Sequence, residues 1–237
     1  MENDNDFIST VSHELRTPLT SIRGFAQTML NSWDKLDDES KKRFLKIIED
    51  QSNRLIGLVE NMLSVTKLQS EKDILIFREA NVKTMVEPVI AIVKNAYNSH
   101  KYILDYNDKT PNIVVDKDKF QQIMTNLIEN AAKYSNEDSD IIIKVAPVGE
   151  VVSIKVTDFG IGILPENYSR IFTKFSRIDN PLTRKVQGSG LGLYITKELV
   201  EKMGGRISVT SGEGETTFEV LMPVKNVEEQ ARAKCSQ

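Results

Sequence analysis

An α+β protein of two domains, a helical hairpin followed by an α/β sandwich, is what the sequence predicts, and three observations carry that expectation. Through the first 70 residues, apolar positions recur at alternating spacings of four and three. From about residue 74 the pattern changes to short β-branched runs that alternate with amphipathic stretches. Between the two, Gln69 to Asp73 is polar and charged and marks a domain boundary. The expected divisions are therefore a hairpin over residues 1–70, a sandwich over 71–225 and a polar, frayed tail over 226–237.

In the first helix Leu15, Leu19, Ile22, Ala26, Met29 and Trp33 form the seam, and in the second Phe44, Ile48, Gln51, Leu55, Leu58, Met62 and Val65 do so. A spacing averaging about 3.5 residues is that of a coiled coil or helical bundle. Ile47, Val59 and Leu63 widen the second stripe beyond a two-stranded seam, which suits a four-helix bundle. Two helices cannot supply four, so the expectation is a homodimer of hairpins. The polar segment Lys35–Ser40 makes the turn, its acidic residues favouring the start of the second helix.

In the second domain Ile74–Phe77, Tyr102–Tyr106 and Ile113–Val115 have strand character. Ile141–Val145 with Val151–Val156, and Arg206–Val209 with Thr216–Met222, read as neighbouring strand pairs. Helices are expected at Val82–Ala96, Asp118–Lys133 and Leu191–Met203, the last stopped by Gly204 and Gly205. Helices interleaved with mostly antiparallel strands give a two-layer sandwich.

Composition narrows the functional classes. With 40% hydrophobic and 27% charged residues the chain can build real cores, and a net charge of −3 argues against nucleic acid or an anionic membrane as partner. No apolar run approaches the roughly 18–20 residues that span a bilayer, so this segment makes no membrane contact of its own. The single cysteine, Cys235, allows neither an internal disulfide nor a thiolate metal cluster, which fits a reducing, cytoplasmic compartment.

Three segments of the second domain have the chemistry of a nucleotide site. In Asn126–Ser135, the residues Asn126, Asn130 and Lys133 share a helix face, being four and three apart, with Tyr134 beside them. A neutral amide oxygen, as at Asn130, can ligate Mg²⁺, and a lysine offsets phosphate charge. Taken alone, such a polar face is equally a solvated surface. Asp158-Phe159-Gly160-Ile161-Gly162 follows an apolar strand. A carboxylate there can accept a hydrogen bond from the adenine amine, while Gly160 and Gly162 let the backbone approach the base. Asp-Phe-Gly also occurs in Ser/Thr/Tyr protein kinases, but the His-Arg-Asp loop and strand lysine those enzymes need are missing.

Gly188-Ser189-Gly190-Leu191-Gly192 opens a helix, and backbone N–H groups at a helix start cradle phosphate. It has neither the spacing and βαβ setting of a dinucleotide fingerprint nor the Gly-Lys-Ser/Thr of a Walker loop. Between the second and third segments, Phe172 and Phe175 can anchor a flap. Lys174, Arg177, Arg184 and Lys185 can reach phosphates from it, or are scattered surface cations.

His13 lies off the apolar seam and faces solvent. A neutral imidazole is a competent nucleophile near pH 7, and its phosphoramidate passes phosphate onward. Glu14 can accept the ring proton or orient the ring, and Thr17, one turn on, can position a water. Pro18 cannot donate to the carbonyl of Glu14 and should bend the helix below the histidine. Without the surrounding motif His13 is an ordinary surface histidine. His100, in a polar loop after a helix, is assigned no role.

Together these segments resemble the sensor histidine kinases of two-component signalling, from about Phe7 to Pro223. Phe7–Leu19 is similar to the family's H box, Asn126–Ser135 to its N box, Asp158–Gly162 to its G1 box, Phe172–Phe175 to its F box and Gly188–Gly192 to its G2 box, in the family's order. The resemblance implies a dimeric phosphotransfer hairpin joined to a Bergerat-type ATP-binding domain like those of DNA gyrase, Hsp90 and MutL. It implies His13 as phospho-acceptor, Asn130 as a Mg²⁺ ligand and Asp158 as the reader of adenine. It suggests Glu14 as acid/base, Thr17 as part of a phosphatase motif, and a response regulator as the receiver of the phosphoryl group. Those ATPases carry a water-activating glutamate where this chain has Asn126, which favours transfer to protein over hydrolysis. Other readings are an ATP-driven clamp without phosphotransfer and a dimeric scaffold that has lost catalysis. Glu215 departs from the small residue common in the family. The chain holds no sensor, so the native protein is expected to continue N-terminally, this segment being the cytosolic part of a membrane-bound parent or of a soluble one.

Overall fold

A computed structural model describes residues 2–70, 74–176, 188–212 and 214–224, without the side chains of residues 2–8 and 69. The expectations for the boundary residues 71–73, for Arg177, Arg184, Lys185 and the rest of the stretch 177–187, for Glu213 and for the tail from residue 225 lie outside the described residues. The chain divides into two compact units, Met1–Lys67 and Leu68–Gln237.

The first unit is a helical hairpin: α1 (Glu2–Ser32), a single 3₁₀ turn at Trp33–Lys35, then α2 (Asp38–Gln69). α1 runs on through the buried Pro18, although Pro18 offers no N–H to the Glu14 carbonyl. The connection is shorter than the segment Lys35–Ser40 suggested. Asp37 ends it by accepting a hydrogen bond from the Ser40 amide (2.6 Å), so Asp38 and Glu39 already form the first turn of α2. The Asp37 carboxyl is held below its ordinary range, first by that amide. Phe25 packs on Phe44 (ring centroids 5.2 Å apart), the Lys41 ammonium sits over Trp33, and Arg54 donates to Glu14 across the hairpin (3.3 Å).

The second unit is a mixed sheet with helices on its apolar face. Its elements are β1 (Arg78–Ala80), α3 (Val82–Ala96), β2 (Lys101–Tyr106), β3 (Ile113–Val115), α4 (Lys117–Tyr134), β4 (Asp140–Val148), β5 (Val151–Asp158), α5 (Gly192–Lys202), β6 (Arg206–Gly212) and β7 (Glu215–Pro223). Short 3₁₀ turns at Pro165–Asn167 and Arg170–Phe172 interrupt the long β5–α5 connection. The five-stranded sheet has the order β2-β4-β5-β7-β6, with β2 and β4 parallel and the other pairs antiparallel.

Alternation along the strands builds the core. Ile141, Ile143 and Val145, then Val152, Ile154 and Val156, then Phe218, Val220 and Met222 are buried. They meet Phe120, Ile123, Met124, Leu127 and Ile128 of α4, the middle helix, with α3 and α5 on either side. The opposite face is polar, where Lys155 lies across the ladder from Glu219 and pairs with it, as Lys144 does with Asp105.

One strand differs from expectation. Ile74–Phe77 is irregular, and β1 begins instead at Arg78, forming a separate two-stranded sheet with β3. β3 is three residues long and its register with Arg78–Ala80 is then complete, so Ile74–Phe77 has no strand to pair with. The Ile76 amide donates to Asp116 instead (2.9 Å).

α5 ends as the two glycines suggested. The Gly205 amide donates to Val200 and the Gly204 amide to Glu201, a Schellman closure with Gly204 at φ +75°. Gly204→Ala is expected to lower the unfolding free energy by about 1 kcal/mol for the left-handed backbone alone. Gly205→Ala should cost more, because its Cβ would lie 2.6 Å from the Leu221 carbonyl oxygen. Urea denaturation of both variants measures the difference.

Candidate functional site

The centre of the candidate site is the C-terminal half of α4 and the two glycine segments that pack against it. β5 carries Asp158 on the parity of Val152, Ile154 and Val156, so its carboxylate follows them onto the covered face of the sheet. Asp158 is 4% exposed, and its Oδ1 has no hydrogen-bond partner among the described residues. Burial, reinforced by the negative charge of Glu215, pushes the carboxyl up to about 7. A buried, unpaired acceptor is costly, and it persists in folded proteins mainly where a ligand supplies the missing donor.

The loop after Asp158 is pinned to the end of α4. Gly160 forms an isolated bridge with Ser135, Asn136 donates to the Phe159 carbonyl (3.0 Å), and Ile161 donates to that of Tyr134 (3.4 Å). A Cβ at Gly160 would collide with the Tyr134 carbonyl, so glycine is required there for close approach. Gly162 adopts φ +72°, and the next residue, Ile163, donates to Ser211 Oγ (2.9 Å). Ser211 is further tied to Tyr168 and Thr216. Sequence reasoning missed Ser135, Tyr168 and Ser211. Their hydroxyl and backbone groups meet partners from distant segments, and no local pattern marks that.

The third segment meets the other edge of α4. Gly192, the first residue of α5, lies against the Asn126 amide, and the Asn126 Nδ2 donates to Thr196 Oγ1 (2.8 Å). Leu191 is buried, and its amide is held by Ser189 Oγ (3.2 Å). Gly190, at φ +66°, packs on the backbone of Phe175, itself in the left-handed region at φ +57°. Phe172 stacks edge-on against Phe218 of β7, giving one of the two anchors expected of the Phe172–Phe175 segment. Among the described residues nothing lies within 4 Å of a Cβ built on Gly188. Among the described residues no side chain caps the start of α5, where backbone N–H groups can receive an acceptor.

The shared helix face of Asn126, Asn130 and Lys133 is divided among neighbours. Asn126 turns to α5, and Asn130 is half-buried with no side-chain hydrogen bond to another described residue. Lys133 bonds Glu129 (2.9 Å) and sits 5.9 Å from the Tyr97 ring. Burial pulls the Lys133 ammonium down, but Glu129 more than offsets this and leaves it above its ordinary value. A four-carbon stem lets a lysine leave the face its Cα occupies.

In the hairpin unit His13 is exposed, with Thr17 Oγ1 donating back to its carbonyl (3.3 Å) and Glu14 engaged by Arg54 (3.3 Å). His100 lies in the loop between α3 and β2, where it is buried and meets the Ala132 carbonyl through Nε2 (3.0 Å). It satisfies one of the carbonyls that α4 leaves open at its C-terminus.

Comparison with known proteins follows the same division. Residues 3–71 match the His Kinase A (phospho-acceptor) domain family. Residues 115–226 match the family described as histidine kinase-, DNA gyrase B- and HSP90-like ATPases. The chain is 34% identical over 227 residues to the sensor protein kinase WalK of Staphylococcus aureus, covering 94% of this chain and 54% of that protein. A second WalK, from strain JH9, gives the same identity over 37% of its length, so the chain spans about half or less of these relatives. Among solved structures, histidine kinase ThkA in complex with response regulator protein TrrA superposes with a TM-score of 0.76 and 25% identity, over 93% of this chain and 61% of that one. Acinetobacter baumannii histidine kinase AdeS gives 0.71 at 24% identity, over 90% and 98%, a likeness of fold.

Asp158 makes the unliganded protein sensitive to pH. Its carboxyl titrates near 7 when folded and near 3.8 when unfolded, so between those values the folded state binds more protons. Stability therefore falls as pH rises through that window, and the penalty is fully present above about 7. Asp158→Asn should raise the melting temperature relative to the parent at pH 8 and change it little at pH 4, as thermal unfolding at the two values would measure.

Proposed function

The chain belongs to the two-component sensor histidine kinases, and from that premise we propose that it transfers the γ-phosphoryl group of ATP to His13 and on to an aspartate of a response regulator. The observation that carries the ATP site is the unpartnered Oδ1 of the buried Asp158 beside glycine backbone. An adenine amine is the donor that this acceptor lacks. In this reading residues 1–70 are the dimerisation and phosphotransfer hairpin, 71–225 the ATP-binding domain and 226–237 a tail.

Adenine would lie at Asp158, Gly160 and Gly162, with the ring against Tyr134, and the phosphates would run toward the start of α5. There Gly188, Gly190 and Gly192 would offer backbone N–H groups, the Leu191 amide being held by Ser189, with Phe175 on the lid side and Asn126, Asn130 and Lys133 on α4. Among the described residues no three His, Cys, Asp or Glu side chains cluster to hold a metal. The reading has a Mg²⁺ ion held chiefly by the phosphates, with the amide oxygen of Asn130, which bonds no other described side chain, as the protein ligand. When bound, the ion would neutralise phosphate charge. Positioning and charge supply most of the catalysis in phosphoryl transfer, so the chain's task is to hold the triphosphate in line with an imidazole lone pair.

At His13 the ring attacks the γ-phosphorus as ADP leaves, and the ring proton passes to Glu14, whose carboxylate Arg54 now holds. Thr17 is proposed to orient water for hydrolysis of the phosphorylated regulator. ThkA is seen with a response regulator, and this chain is proposed to dock one through its own hairpin. A homodimer is proposed because a single hairpin leaves apolar residues in the open, among them Ile56 (56% exposed) and Leu63 (54%). Among the described residues no helix is long and apolar enough to cross a membrane. A cytoplasmic setting, with or without a membrane-bound parent, is part of this proposal.

Incubation with γ-labelled ATP and Mg²⁺ should give a label on the protein that is lost in acid, kept in base and absent from His13→Gln. ATP hydrolysis without such a label would indicate a clamp instead, and neither binding nor label a scaffold. Asn130→Asp should weaken Mg²⁺-ATP binding at least tenfold by adding charge beside the phosphates, as calorimetry would report.

A further inference from the structure

Thr196 stands outside the glycine segment and outside every motif that the sequence singles out, yet it is the residue that engages Asn126. It lies on α5 one turn after Gly192, is 1% exposed, and its Oγ1 accepts the hydrogen bond from Asn126 Nδ2 at 2.8 Å. Gly192 faces the other end of the same amide: a Cβ there would collide with Asn126 Oδ1. Residues four apart share a helix face, so α5 presents a hydroxyl and a gap one above the other. The amide of Asn126 fills both. Its nitrogen is taken by the hydroxyl and its oxygen lies against the first residue of α5, where no described side chain caps the helix.

We infer that Thr196 is a positioning residue for the nucleotide's phosphates, fixing the Asn126 amide with its oxygen toward the opening of α5. This rests on the reading of Asn126 as a residue of the triphosphate side. A free asparagine amide presents oxygen or nitrogen with nearly equal ease, and the two differ in whether they accept or donate. Beside phosphates and their cation the choice matters, and the Thr196 hydroxyl, which here accepts from the amide nitrogen, anchors the amide in that setting before a ligand arrives. Asp158 is held at the other end of α4, near Tyr134, eight residues further along and therefore about 12 Å away along the axis. Thr196 should accordingly govern the phosphate end of the ligand and leave the adenine end alone.

The test compares Thr196→Val, close in shape but without the acceptor, with Thr196→Ser, which keeps it. Calorimetric dissociation constants are measured for adenosine and for Mg²⁺-ATP, with Asn126→Ala and the double variant alongside. Thr196→Val should weaken Mg²⁺-ATP by about tenfold, the loss of one ordering hydrogen bond. Adenosine affinity should stay within twofold, Thr196→Ser should bind as the parent does, and the double variant should be no weaker than Asn126→Ala. Equal weakening toward adenosine and Mg²⁺-ATP would mean damage to the fold and overturn the positioning role. Parent-like Mg²⁺-ATP binding by Thr196→Val, with Asn126→Ala impaired, would overturn it while leaving the site intact. Parent-like binding by Asn126→Ala would remove the premise and the inference together.

Discussion

The apolar stripe of α4 is the constraint on which the candidate site depends. Phe120, Ile123, Met124, Leu127 and Ile128 are each fully buried under the sheet. At roughly 1.5–3 kcal/mol for each large side chain, this contact outweighs every polar interaction described along the helix. It fixes the helix's rotation as well as its place. With that stripe facing the sheet, Asn126 must look toward α5 and the last turn toward the loop that follows β5. Both glycine segments are thus located by an interface in which neither takes part, so the geometry of a polar site is set by apolar packing.

Two polar groups on this frame have opposite standing. Asn126 is anchored internally, its nitrogen paired with a buried hydroxyl and its oxygen lying against a glycine. Asp158 is not, since its Oδ1 is buried and unpartnered among the described residues. The first arrangement stores order and the second stores a deficit. A ligand that donates to Asp158 recovers the desolvation that folding imposed, and a ligand meeting an ordered amide loses less entropy on binding. These are complementary sources of affinity, at opposite ends of one helix half.

Much of this was legible in the sequence. Val82–Ala96 and Ile113–Val115 coincide with their elements because each is bounded by a capping or turn residue and carries a clear period. Asp158, Gly160 and Gly190 drew notice because a carboxylate ending an apolar strand and glycines in series have few structural uses. What stayed hidden was pairing. Ile74–Phe77 has the composition of a strand, but a strand exists only where a partner's register reaches, and β3 stops short. His100 was placed in its loop, but its burial could not be read there, because it comes from a helix more than thirty residues away. Lys133 kept its helical phase, but the direction of a long flexible side chain follows its nearest charge, here Glu129.

The hairpin poses the inverse problem. Its seam was plain from spacing, yet a single hairpin is held by few specific contacts, namely Phe25 on Phe44, Lys41 over Trp33 and Arg54 to Glu14. The ion pair is part-exposed and contributes little to stability, at most about 1 kcal/mol. Its significance is therefore chemical. Arg54 directs the carboxylate next to His13 across the hairpin. In the proposed reading, where Glu14 takes the ring proton, release of this pair would free the carboxylate to turn toward the ring. Because the pair is weak, that release is inexpensive, and a modest change in how α1 sits on α2 would be enough to make or release the contact.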